Sequence, residues 1–131
     1  MFLLQFCCIN QRHSLSMANA TDEIKSRYLK LLGENPPFFI NSDYTLEQFA
    51  VALGTNRSYA SRFINTELGL TFPALLNKLR LAHFLRLKNE NPKNSIKDTA
   101  LGCGFKNCFS FRRTFKAEYG VTPGEYLKKN K

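Results

Sequence analysis

Apolar residues recur at helical spacing along most of the chain, and residues 44–131 show no alternation of the kind a strand requires. Ile24, Tyr28, Leu31 and Leu32 share one face of a helix that Thr21 would cap, with Asp22 and Glu23 in its first turn and Gly33 at its end. Residues 1–20 carry no period and read as an arm. Glu34 to Asp43, interrupted by Pro36 and Pro37, reads as an extended connector. Thr45 and Gln48 make a capping box, after which Leu46, Phe49, Ala50 and Leu53 line one face as far as Gly54. Asn56 caps a second helix reaching Leu68, closed by Gly69. Thr71 caps a longer one over Phe72 to Lys88, whose expected buried stripe is Leu75, Leu76, Leu79, Ala82 and Leu85. Ser95 with Asp98 opens a short helix to Cys103, Gly104 turns it, and a helix follows from Asn107 to Tyr119, ended by Gly120. Thr122, Pro123 and Glu125 start the last helix, which turns Tyr126 and Leu127 inward and frays into lysines.

Two of these segments are copies. Ala50 and Gly54 correspond to Ala100 and Gly104 at an offset of fifty; Arg62, Glu67, Gly69 and Thr71 correspond to Arg113, Glu118, Gly120 and Thr122 at fifty-one. The second copy has one extra residue just after Gly104. Helix, short glycine turn and helix is the helix-turn-helix pattern, whose second helix lies in the major groove of DNA. Such a helix needs one dry face for its partner and one polar, cationic face for the groove. In the first copy Phe63 and Ile64 point inward, leaving Arg57, Ser58, Ser61 and Arg62 outward as one patch. In the second copy Phe111 and Phe115 point inward, leaving Cys108, Phe109, Arg112, Arg113 and Lys116 for the other faces. A merely solvated basic face gives no reason to keep the turn glycine, the arginine, the closing glycine and the next cap together twice.

Charge sharpens this. The formal net charge is +9, and it lies entirely in residues 44–131, which hold fifteen Lys/Arg against six Asp/Glu; residues 1–43 balance at four of each. A polyanionic partner is expected. The rival reading is a basic helical adaptor that binds an acidic protein or an anionic membrane surface. The four cysteines do not form a dense disulfide framework, and a reducing cytoplasm fits them. The apolar start, Met1 to Ile9, is too short to span a bilayer and lacks the basic flank of a signal peptide. Cys103 and Cys108 are spaced unlike a zinc site, Gly102-Cys103-Gly104 lacks the third glycine of a dinucleotide loop, and no catalytic set presents itself. No enzyme activity, cofactor or metal is expected.

Residues 44–127 resemble the C-terminal DNA-binding domain of the AraC/XylS family of bacterial transcription regulators. The residues that carry the likeness are Gly104-Phe105, Phe115-Lys116, Gly120-Val121-Thr122-Pro123 and Tyr126. The first half, Leu53 to Tyr59 with Ser61-Arg62 and Ile64-Asn65, is similar to the variant of the Bacteroidetes-type regulators. The resemblance implies two helix-turn-helix units joined by a linker helix, about seven helices in all, with base-facing roles for Ser58, Ser61, Arg62, Cys108, Phe109, Ser110 and Arg113. Arg80 stands where the family has a linker-helix arginine that often braces the domain. The sequence departs from the pattern at Ala60 (usually Leu) and Phe84 (usually small), a pair that suggests an exchange of volume. It departs also at Thr99 and Leu127, and at Cys108 and Phe109, which are poor hydrogen-bonders where polar residues are common.

The expectation is an all-α, homeodomain-like double helix-turn-helix over 44–131, preceded over 1–43 by an arm, an amphipathic helix and a proline-containing connector. The DNA-contacting set is Arg57, Ser58, Ser61, Arg62, Arg80, Lys106, Asn107, Cys108, Phe109, Ser110, Arg112, Arg113 and Lys116. Phe72 to Lys88 is seventeen residues, roughly 25 Å as a helix, against about 34 Å between successive major-groove faces. With the width of the flanking units added, a monomer with one helix in each of two adjacent major-groove segments is expected; Ser58, Ser61 and Arg62 make the first helix the reader, and Cys108 and Phe109 make the second a phosphate clamp. Double-stranded DNA is the expected partner and RNA polymerase a further one, with no membrane. The chain is either a fragment of a larger sensor-linked regulator or a stand-alone binder.

Overall fold

Caps and glycines set where the helices begin and end. The computed structural model describes residues 15–129, which hold seven α-helices and no strand. They are α1 (Leu15–Leu32), α2 (Leu46–Ala52), α3 (Arg57–Phe63), α4 (Phe72–Glu90), α5 (Ile96–Gly102), α6 (Cys108–Tyr119) and α7 (Pro123–Lys129). A 3-10 turn at Phe38–Ile40 lies in the connector, and α3 runs on into a π-helical turn, Ile64–Leu68. From residue 45 on, each expected cap is in place. Thr45 and Gln48 bond reciprocally in a capping box, and Asn56, Thr71, Ser95, Asn107 and Thr122 each accept the backbone N–H three residues on. Gly69 and Gly120 end their helices in the left-handed region, at φ 67° and 78°.

The described residues divide into two compact units, 15–38 with 44–75 and 39–43 with 76–129. The first is built on aromatic packing. Tyr28 of α1 stands edge-on to Phe49 of α2 and Phe63 of α3, with ring centroids 6.1 and 5.5 Å apart, and Phe72 packs on Phe49 at 5.7 Å. Ala60 is fully buried in this core. The second core gathers Leu81 and Phe84 of α4 with Ala100, Cys103, Phe105, Phe111 and Phe115. Phe84 lies 4.6 Å from Phe111, and Tyr126 of α7 closes on Phe115 at 5.5 Å. Leu127 packs partly buried against the same cluster.

Four expectations are corrected. Thr21 does not cap α1, which starts at Leu15; Leu15 to Leu32 contains no Gly or Pro, and Ala18 and Ala20 are strong helix formers. Residues 15–20 of the expected arm are therefore helical, and residues 1–14, with Cys7, Cys8 and His13, lie outside the described residues, as do Asn130 and Lys131. The connector is more than extended chain: Phe39 is buried in the second unit. The buried stripe of α4 also differs. Leu75, Leu76, Arg80, Leu81 and Phe84 are buried, whereas Ala82 is exposed. The first turn of α4 belongs to the first unit and the rest to the second, so its apolar residues serve two cores and no single stripe describes them. Finally, Ala60 and Phe84 fill separate cores, so the large side chain does not occupy space left by the small one.

The units share a construction. In the first, Arg27 of α1 donates from Nη1 to the Leu53 carbonyl at 3.1 Å, beside Gly54. In the second, Arg80 of α4 is buried, and donates from Nε to the Phe39 carbonyl at 2.7 Å and from Nη2 to the Asn41 carbonyl at 2.9 Å. A Cβ built on Gly54 would lie 2.8 Å from Arg27 Nη1, and one on Gly104 would lie 2.7 Å from Arg80 Nε. Each turn glycine thus has a guanidinium packed against it from the helix preceding its motif. The repeated element is three helices, α1–α3 and α4–α6, with α7 added to the second.

Candidate nucleic-acid interface

The outward face of α3 follows from what the inward face consumes. Ala60, Phe63 and Ile64 are buried, and at helical spacing this leaves Arg57, Ser58 and Arg62 exposed and Ser61 half-buried. The same four side chains, with Asn65 and Thr66, line one shallow open depression. Asn65 and Thr66 were absent from the expected set. They line the same depression because the π-helical turn carries the surface one turn further, and their position three and four residues beyond Arg62 was the available signal. The Thr66 hydroxyl donates to the Arg62 carbonyl at 2.7 Å. Arg57 pairs with Glu47 of α2 at 3.1 Å, both well exposed. Arg62 lies over the ring of exposed Tyr59, 5.8 Å from its centroid.

On α6, Phe111 and Phe115 are fully buried, and Phe109, Ser110, Arg112, Arg113 and Lys116 are exposed. Cys108 is half-buried. The Asn107 side chain accepts the Ser110 N–H at 2.8 Å, so its oxygen is occupied by capping. Lys106 is exposed and pairs with Asp43 at 3.2 Å. Arg113 lies 5.8 Å from the centroid of the Phe109 ring, as Arg62 does over Tyr59. Glu67 and Glu118, equivalent in the repeat, part ways: Glu67 is buried, and Glu118 pairs with Lys78 at 3.7 Å on the surface.

Arg80 stands apart from this set. At 8% exposure, with two donors spent on backbone carbonyls, it braces the 39–43 segment and is not a surface contact. Burial lowers its pKa. Cys103 is buried in the second core, where desolvation raises its thiol to about 11 and keeps it protonated at neutral pH. Thr99 is buried, and its hydroxyl is satisfied by donating to the Ser95 carbonyl at 2.7 Å. Among the described residues no helix is long and apolar enough to cross a membrane.

Comparison with known proteins bears on the family and the fold. Residues 49–129 match the family described as a helix-turn-helix domain. The HTH-type transcriptional regulator MtrA of Neisseria gonorrhoeae is 29% identical over 86 residues, which are 66% of this chain and 28% of that protein. The uncharacterized HTH-type transcriptional regulator YtdP of Bacillus subtilis is 30% identical over 90 residues, 69% of this chain and 12% of that protein. The chain thus spans under a third of the length of either relative. Among solved structures, the C-terminal domain of AraT, a response regulator from Geobacillus stearothermophilus, superposes with a TM-score of 0.67 at 29% identity, covering 82% of this chain and 84% of that one. A DNA-binding transcriptional dual regulator from Escherichia coli K-12 shares the fold at a TM-score of 0.61 and 23% identity, covering 84% of this chain and 90% of that one. With its paired helix-turn-helix motifs, its two cationic second helices and these relatives, the chain belongs to the AraC-type helix-turn-helix family of DNA-binding transcription regulators.

Proposed function

We propose that this domain binds double-stranded DNA with sequence preference through α3 and α6, each set in the major groove, on two adjacent groove segments, and that it thereby regulates transcription. The observation that carries the proposal is the paired outward faces. Arg57, Ser58, Ser61 and Arg62 on α3, and Arg112, Arg113 and Lys116 on α6, occupy the second helix of each motif, where groove contacts arise. The single continuous helix α4, 19 residues long, leads from one motif to the other. Arg57 and Lys106, each in an exposed ion pair worth little in water, exchange a carboxylate for a phosphate at small cost. Arg62, with no carboxylate paired to it among the described residues, is the base-reading candidate of the first motif.

Selection of bound sequences from a random duplex pool, followed by footprinting of the preferred site, tests this. The expected result is two protected major-groove segments on one side of the duplex. Protection of a single groove segment would remove the two-helix reading. Arg62→Ala is expected to weaken the preferred site by about 1–3 kcal/mol while leaving random duplex nearly unchanged. Tight binding to anionic vesicles with no duplex preference would replace DNA with a membrane surface as the partner.

A further inference from the structure

We infer that Phe109 and Arg113 form one composite reading unit on α6 that recognises a thymine neighbouring a guanine, so that the second motif contributes base specificity and does not merely clamp phosphate. This rests on the proposed DNA binding and deepens it. Phe109 is 70% exposed, while Phe111 and Phe115 on the same helix are fully buried. A phenyl ring has no hydrogen-bonding group, so it cannot hold a phosphate, and its exposure is unexplained by the fold of the second unit. What it can do in a major groove is cover the C5-methyl group, which thymine alone presents among the four bases. Arg113 lies over that ring, 5.8 Å from its centroid. A guanidinium attracted to an aromatic ring makes no hydrogen bond to it, so its N–H donors remain available in the fork that matches guanine O6 and N7. No carboxylate among the described residues is paired with Arg113, so nothing competes for that fork.

The first motif supplies an internal comparison. Arg62, the equivalent of Arg113, also lies over an exposed ring, that of Tyr59, at 5.8 Å. The ring there stands three residues before the arginine; in the second motif it stands four before, at the position where the first has Ser58. Both motifs therefore splint the corresponding arginine, and only the second places an apolar group at the reading position itself. The two helices are built to read different bases.

The test uses the whole chain and the preferred duplex from the random pool. Each thymine in the second half-site is replaced singly by deoxyuridine, which removes only the methyl group. Each guanine is replaced singly by 7-deazaguanine, which removes only the N7 acceptor. One deoxyuridine is expected to weaken wild-type binding about fourfold, the worth of one buried methyl group, and to leave Phe109→Ala binding unchanged. A neighbouring 7-deazaguanine is expected to weaken wild-type binding about tenfold and to leave Arg113→Ala unchanged. Because Phe109 lies outside the core, its alanine variant is expected to melt with the wild type, which separates reading from folding. Thymines that can all be replaced without loss, or a loss equal in Phe109→Ala, overturn the inference. A pool that yields no preferred sequence overturns the DNA-reading proposal beneath it, a distinct result.

Discussion

Gly104 has little freedom to change. Its φ of +107° is open to glycine and strained for any other residue, and an added Cβ would press on the Phe39 carbonyl oxygen and lie 2.9 Å from the Ile40 Cα. Both are backbone atoms that cannot step aside singly. Gly104→Ala is expected to destabilise the second unit by more than about 3 kcal/mol, read as a large fall in its melting temperature. Gly69 has the same left-handed sign but open space around its Cβ position, so Gly69→Ala is expected to cost only about 1–2 kcal/mol. His83 gives a residue-scale pH effect. It is half-buried beside the Phe39 ring, and desolvation, reinforced by Arg86 and opposed by Glu90, holds its pKa below 6.5. Just below that value the unfolded chain binds a proton more readily than the folded one, so stability contributed by neutral His83 is present above pH 6.5 and lost as pH falls through the folded pKa. Thermal melts between neutral and mildly acid pH are expected to show this loss, and His83→Asn to lack that part of it.

At the scale of elements, α4 and α1 play matching parts. Each precedes a helix-turn-helix, sets an arginine against the turn glycine and buries an aromatic ring in the core behind it, Tyr28 in one unit and Phe84 in the other. Phe84 meets Phe111 and Phe115 at 4.6 and 6.0 Å. Phe84→Ala is therefore expected to cost about 3–5 kcal/mol, with the melt of the second unit shifted most. An unchanged melting temperature would mean that the second core does not depend on α4. Tyr28 is less simple. Among the described residues no group accepts from its buried hydroxyl, and burial keeps the phenol protonated. The amphipathic pattern of α1 was plain from Ile24, Tyr28 and Leu31, but its partners, Phe49 and Phe63, were not, because a helix face does not name the face it meets.

Across the whole molecule the governing quantity is the excess of cations in residues 44–131. Binding to duplex is expected to weaken linearly in log affinity against log salt, with a slope of about −0.9 for each phosphate neutralised. Lys116 is exposed on α6 and unpaired with any carboxylate among the described residues. Lys116→Ala is expected to lower the magnitude of that slope by about one unit while leaving the preferred sequence unchanged. A titration of the variant and the wild type across salt concentrations checks this. A changed preference with an unchanged slope would make Lys116 a base reader.

Local chemistry determined much of this protein. Caps at Thr45, Asn56, Thr71, Ser95, Asn107 and Thr122 and the turn glycines act within a few residues, and the duplicated spacing shows when the chain is aligned with itself, so the helices from residue 46 on, the two motifs, the cationic outward faces and the family were legible from the chain alone. Tertiary structure decided what depends on distant partners. It withdrew Arg80 from the surface to bind two carbonyls about forty residues away. It gave the apolar residues of α4 two cores to fill, and it made α1 the first helix of a repeat that the sequence displays only in its second and third. It also laid Arg62 and Arg113 over rings three and four residues before them, a matter of side-chain direction that residue spacing permits and does not dictate.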